Sequence, residues 1–206
     1  RLSKGGRRQA SVGRGGSVEG GRGGQVVGGV SDAGGGGSLG GGAGVKGAGD
    51  AGGNVRLGEE EQIKGPVDPG GSVDLGQSAQ IEAAGGAVSD VGGDVSLSQD
   101  AVIKGSVDAD GDVTLGEGAQ VKGSVDAGGD VSLGEGAQIK GSVDAGGDVS
   151  LSEGAQIEAP VTADGDVTLG EGAVIKGDVD AGGDVLIRAG AEVKGSVNAD
   201  GTVTRK

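Results

Sequence analysis

Aliphatic residues recur in pairs along most of this chain, with one residue between the members of each pair. Val131/Leu133, Ala137/Ile139 and Val143/Ala145 are three successive pairs at six-residue intervals. A two-residue spacing puts both side chains on one face of a β-strand. Between the pairs stand Gly134-Glu135-Gly136, Lys140-Gly141-Ser142 and Gly146-Gly147-Asp148, where glycine supplies backbone angles that other residues avoid. The whole scheme returns every 18 residues, with anchor valines at Val95, Val113, Val131, Val149, Val167, Val185 and Val203. Val55 and Val73 keep the same interval. The step from Val73 to Val95 is 22 residues, which places four extra residues between Glu82 and Ser89. No 3.6-residue period exists, and glycine interrupts every few positions, so helix is disfavoured throughout.

This pattern predicts an all-β fold: a single-stranded parallel β-helix, or solenoid, of triangular section with three short strands per 18-residue coil. Coils stack at about 4.8 Å, the distance between paired strands. The usual crossover preference favours a right-handed winding. Each coil buries about six small aliphatic side chains, and stability comes from nearest-neighbour stacking. The register weakens upstream. Leu39, Ala43, Val45, Lys46, Asp50 and Ala51 precede Leu57, Glu61, Ile63, Lys64, Asp68 and Pro69 by 18, and only Glu61 breaks the likeness. One further step back gives Val27, Asp32 and Ala33. The chain therefore divides into a basic N-terminal arm over 1–18, expected to be disordered, Gly-rich degenerate coils over 19–54, and a regular β-helix of about eight coils over 55–206.

Composition changes this picture in two ways. Of 206 residues 54 are glycine, which by itself reads as low complexity, but disordered repeats do not hold alternate aliphatics in register over eight units. The chain also lacks Phe, Tyr, Trp, Cys, Met and His. Without His or Cys there is no nucleophilic triad and no zinc site of ordinary type. Without aromatics there is no stacking platform for single-stranded nucleic acid. Absent cysteines leave the redox compartment open. No apolar run is long enough for a transmembrane helix, and no secretory signal is visible. The chain starts at Arg1 rather than Met, which reads as a fragment, a processed form or a displaced start.

The recurrent Val-x-Leu…Ala-x-Ile-Lys-Gly-x-Val-x-Ala units, such as Leu115 to Ala127 and Leu133 to Ala145, resemble the bactofilin family of polymer-forming cytoskeletal proteins. The Ile-Lys-Gly step returns at Ile63-Lys64-Gly65, Ile103-Lys104-Gly105, Ile139-Lys140-Gly141 and Ile175-Lys176-Gly177. The resemblance covers roughly residues 37–206. It implies a right-handed β-helix that joins end to end into filaments without a nucleotide. It also implies a structural scaffold in the cytoplasm, associated with membranes; an extracellular location stays open. The chain departs from the family in its Gly-rich N-terminal third and in lacking the Phe often found near the polymerising end. The hexad Leu133-Gly134-Glu135-Gly136-Ala137 is also similar to left-handed β-helix acyltransferases and γ-type carbonic anhydrases, but those enzymes depend on His.

Residues 18 apart form surface columns. Asp94, Asp112, Asp130, Asp148, Asp166 and Asp184 make one; Asp68, Asp90, Asp108, Asp126, Asp144 and Asp180 make a second, interrupted by Thr162 and Asn198. A third holds Lys46, Lys64, Lys104, Lys122, Lys140, Lys176 and Lys194, broken by Glu82 and Glu158, and a fourth Glu117, Glu135, Glu153 and Glu171. Stacked like charges repel, so the Asp columns call for screening, bound cations or raised pKa values. Asp108, Asp110, Asp112, Asp130, Asp148 and Asp166 are the candidate Ca²⁺ ligands, set against the simpler reading that Asp favours corners and keeps an acidic rod soluble. Charge is also uneven along the chain. Arg1, Lys4, Arg7, Arg8, Arg14 and Arg22 against Glu19 give residues 1–22 a net of +5, within a total of −14. Arg1, Lys4, Arg7, Arg8 and Arg14 mark an arm for an anionic surface, such as a membrane; any nucleic-acid contact would be non-specific.

The last coil, from Val185 to Val197, is the most apolar, and only Thr202 to Lys206 follow it. A β-helix end exposes unpaired backbone and a cut core. Val185, Leu186, Ile187, Val193, Val197 and Val203 are therefore the expected polymer interface. The leading function is a self-assembling homopolymer with no catalytic residues and no cofactor. The alternative is a monomeric acidic solenoid that binds a partner in a Ca²⁺- or salt-dependent way. Carbohydrate lyases on β-helices work with Asp, Arg and Ca²⁺ but build clefts from long loops, and here only the four-residue insertion near Ala83 interrupts the repeat. Ice binding needs a flat Thr column, whereas Thr114, Thr162, Thr168, Thr202 and Thr204 are scattered.

Overall fold

The computed structural model describes residues 7–9, 18–20, 25–27, 30–33, 37–39, 44–46, 49–82 and 88–206. These residues contain no helix and form three parallel sheets of 11, 10 and 11 strands, wound as a β-solenoid. Each coil adds one strand to each sheet. In the coil from Val131 the first wall is Val131–Leu133, the second Gln138–Ile139 and the third Val143–Ala145. Each strand pairs in register with its counterpart 18 residues on: Val131 with Val149, Gln138 with Gln156, Val143 with Val161. Eleven stacked strands make a rod roughly 50 Å long.

The alternation read from the sequence is the alternation of burial. Val131, Leu133, Ala137, Ile139, Val143 and Ala145 point inward and are at most 1% exposed. Outward positions Ser132, Gln138 and Asp144 stay partly or wholly in water. The inward slots form six columns. The second-wall corner column, Ala79, Ala101, Ala119, Ala137, Ala155 and Ala173, is fully buried throughout. Each fully buried Leu, Ile or Val contributes about 1.5–3 kcal/mol against exposure. Parallel sheets are ordinarily covered on both faces. Here winding supplies one cover, and the other face is kept polar.

The insertion is distributed differently from the sequence reading. Val67 pairs with Val88, and Val88 with Val107, but Val91 pairs with Ala109. The strand Val88–Val91 therefore holds one residue too many, and Ser89 and Asp90 together oppose the single Asp108. Asp90 takes φ 55°, the left-handed geometry that a bulge of this kind requires. So three extra residues precede Val88 and the fourth lies within the strand, which removes Asp90 from the Asp68–Asp108 column. Residues 83–87, where the rest of the insertion was placed, lie outside the described residues. The same four-residue pattern, Val30-Ser31-Asp32-Ala33, shifts the register upstream: Val30 pairs with Gly49 and Ala33 with Ala51. Consequently Val26, not Val27, faces Val45. A strict 18-residue rule cannot place a residue that lies beyond a bulge.

Candidate functional site

The corner before the first wall is built by the first Asp column. The Asp148 N–H donates to Asp130 Oδ1 at 2.8 Å, and the Asp166 N–H donates to Asp148 Oδ1 at 2.7 Å. The series runs from Asp94 to Asp184, whose Oδ1 accepts from the Thr202 N–H at 2.6 Å. Asn54 and Ser72 start it with the same kind of bond. Glycine makes room for it. A Cβ on Gly147 would lie 2.0 Å from Asp130 Oδ1, inside the path of the carboxylate to the next N–H. The repeated Gly-Asp dipeptide is thus one device: the glycine admits the carboxylate from the coil before, and the aspartate reaches into the coil after. Each of these carboxylates thus has a backbone N–H donor from the following coil close to its charge, and that contact offsets part of the repulsion along this column.

Of the candidate Ca²⁺ ligands, Asp112, Asp130, Asp148 and Asp166 are members of this ladder. Asp108 is exposed on the third wall, and Asp110 is exposed at the corner after it. Among the described residues, no group of three or more carboxylates is gathered where it could hold a metal ion. In the second Asp column the interruption by Asn198 is useful, because its Nδ2 donates to Asp180 Oδ1 at 3.1 Å. Asp178, one slot before that wall, is held below the usual carboxylate range because it accepts both the N–H (2.7 Å) and the hydroxyl (2.8 Å) of Ser196.

The glutamates that break the Lys column neutralise it. Glu82 lies between Lys104, its closest partner, and Lys64 at 3.4 Å. Both lysines hold its carboxyl low, Lys104 most strongly. Glu158 pairs with Lys176 at 3.1 Å, which lowers its pKa in the same way.

The six residues expected at the C-terminal interface fall into three places. Val185 and Ile187 are buried, because the strand Val203–Arg205 pairs over them. Leu186 points outward on the first wall, paired with Thr168 on one side and Thr204 on the other. Val193 and Val197 are only partly buried, together with Ala191 and Ala199, and Val203 is 38% exposed. The last-coil surface is therefore Ala191, Val193, Val197, Ala199 and Val203. One rim residue escaped the sequence reading. Arg205 pairs with Ile187, so it occupies the inward slot that Leu133 and Leu169 fill elsewhere. Counting 18 from Ile187 would have found it.

Glu61 is the second residue whose role the sequence did not reveal, although it stood out as the break in register. It occupies the buried alanine column and is fully buried. Its Oε2 accepts from the Gly58 N–H at 2.7 Å, but its Oε1 has no partner. Burial pushes its pKa up to about 7, against the smaller downward pull of that hydrogen bond. In the arm, Arg7 and Arg8 belong to the strand Arg7–Gln9, which pairs with Gln25–Val27. Arg1, Lys4 and Arg14 lie outside the described residues.

Among the described residues, no helix is long and apolar enough to cross a membrane. No curated protein and no solved structure matches the chain. Residues 114–205, a little under half of its length, match the family model of bactofilin, described as polymer-forming cytoskeletal. Repeat, wall order and family match coincide over those five coils: residues 114–205 are similar to the bactofilin family in sequence and are built as regular solenoid coils.

Proposed function

We propose that this chain is a structural scaffold whose solenoids stack end to end into filaments without a nucleotide, in the cytoplasm and without catalytic activity. The observation that carries this reading is the last-coil surface. Core slots that are nearly inaccessible in the coils before it become partly exposed at Val193 and Val197 and openly exposed at Val203. A second β-helix end would cover that apolar surface and pair the free strand edges beside it. The match of residues 114–205 to the bactofilin model supports the same reading, since that family is described as polymer-forming. Arg205 sets a condition on the contact. Burying it without a counter-charge would cost several kcal/mol, so the end that stacks there brings a carboxylate to it. The basic residues Arg1, Lys4, Arg7, Arg8 and Arg14 give such a filament a means of lying on an anionic membrane.

Negative-stain electron microscopy of the pure protein, without nucleotide, tests the polymer. Unbranched filaments are expected, and Val203→Asp should abolish them. Short rods alone, at every salt and concentration, would sink the proposal. Sedimentation with anionic vesicles, with the five basic residues intact or neutralised, tests the arm.

A further inference from the structure

We infer that the second wall is a lateral docking face for a second copy of this chain, lying parallel to the first. The face carries opposite charges on its two edges. In one coil, Glu117 stands at the corner before the wall, Gln120 points outward along its middle and Lys122 stands at the corner after it. The next coil repeats this with Glu135, Gln138 and Lys140. Glu153 and Glu171 continue the acidic edge; Lys64, Lys104, Lys176 and Lys194 belong to the basic edge. The four glutamates and Lys122 are exposed. Their side chains form no ion pair among the described residues.

Symmetry then decides orientation. Laying two such faces together about a two-fold axis along the rod keeps the rods parallel and exchanges left and right edges. Each acidic edge then meets a basic edge, and the glutamines meet in the middle, where amide donors and acceptors are self-complementary. A two-fold axis across the rod would make the rods antiparallel and set Glu against Glu and Lys against Lys. Parallel rods without stagger bring Lys122 to Glu117 and Lys140 to Glu135, coil after coil, because each pair comes from one coil. The row of Glu153 and Glu158 is the exception, and there Glu158 already has Lys176 at 3.1 Å. Arg188 lies in the same surface recess as Glu153 and Glu171, so Glu117 and Glu135 are the acidic residues farther from it along the rod.

Neither other wall offers this arrangement. The first wall runs between the Asp94–Asp184 corner and the Glu117–Glu171 corner, so both its edges are acidic. The third carries Asp108, Asp126 and Asp144 along its centre, paired in register, and would set acid on acid in either orientation.

The chain has no cysteine, so a single nitroxide label can be placed through Gln120→Cys or Gln156→Cys in the full-length protein. Dipolar distances are measured at low salt in a Val203→Asp background, which removes end-on neighbours. A parallel pair gives the same short distance at both positions. That distance should vanish at high salt and when Glu117, Glu135, Glu153 and Glu171 are all changed to Lys. It should return when that chain is mixed with one carrying Lys104, Lys122, Lys140 and Lys176 changed to Glu, which also shows that both variants are folded. No short distance at either position would overturn the inference. So would distances that differ between the two positions, which are the signature of antiparallel rods. Filaments that form without the shared distance would leave the end contact standing and remove the lateral one.

Discussion

At the scale of single residues, the coil tolerates little freedom in what fills each slot, and the departures are where it is weakest. Glu61 stands where other coils place alanine, and its buried carboxyl has a pKa raised to about 7. The folded state therefore holds a proton that the unfolded state releases near pH 4.5. Stability linked to this group is fully present below pH 4.5 and is lost as pH rises through about 7. The corner beside it carries Glu59 and Glu60, and the following coil brings Gly76, Gln77 and Ser78, none of them ionisable. Glu61→Ala should raise stability at pH 8 by up to about 3 kcal/mol. It should also flatten the urea midpoint between pH 5 and pH 8, a window in which Glu82, Glu158 and Asp178, all shifted downward, are already ionised. A midpoint that still falls across that window in the Ala variant would refute the assignment.

A second departure is conformational. Glu60, Ser78 and Asp100 take φ of 57°, 57° and 58° at a corner that Gly118, Gly136, Gly154 and Gly172 fill in later coils. Left-handed geometry costs a side-chain-bearing residue roughly 1 kcal/mol. Asp100→Gly should therefore raise the calorimetric Tm, while Gly136→Ala at the equivalent corner should lower it.

At the scale of the coil, the Asp ladder ties each turn to the next by a side chain as well as by backbone. Asp130→Ala leaves the Asp148 N–H without its partner at 2.8 Å. The loss should be about 1 kcal/mol, since the site is exposed and water replaces part of the bond. Asp130→Asn keeps an oxygen acceptor and removes a charge from an acidic column, so it should equal or exceed the wild type at low salt. Denaturant unfolding of both variants separates the hydrogen bond from the charge. If Ala and Asn behave alike, the ladder is not a stabilising element. The two bulges show how coils absorb an extra residue. In Val88–Val91 Ser89 and Asp90 share one outward slot, so both flanking valines stay buried and only the outer column loses its register.

At the scale of the whole molecule, the rod is a one-dimensional stack with an excess of negative charge. Its net charge of −14 lies mostly in columns that run its length. Added monovalent salt should raise the Tm over the range where the Debye length falls below the roughly 10 Å that spans two coils. A Tm independent of salt would show that the hydrogen bonds of the ladder and the lysines already compensate that charge. The lateral face predicts the opposite trend for association, which salt should weaken. Stability and assembly should thus respond to ionic strength with opposite signs in one preparation.

The sequence by itself determined the class of fold, the three walls, the inward aliphatics and the surface columns, because a two-residue period sets the face of a strand and an 18-residue period sets what lies above it. It also marked Glu61 as odd and carried the resemblance that the family match over 114–205 bears out. Only the tertiary structure decided what happens between coils. Whether Asp130 repels Asp148 or caps its N–H depends on the space that Gly147 leaves, a matter of ångströms that composition does not contain. Whether Val185 is covered depends on the closing strand Val203–Arg205. Where Asp90 points depends on which residue of Val88–Val91 the bulge expels. Periodicity specifies neighbours in a perfect stack; contacts at its irregularities and its end come from the packing itself.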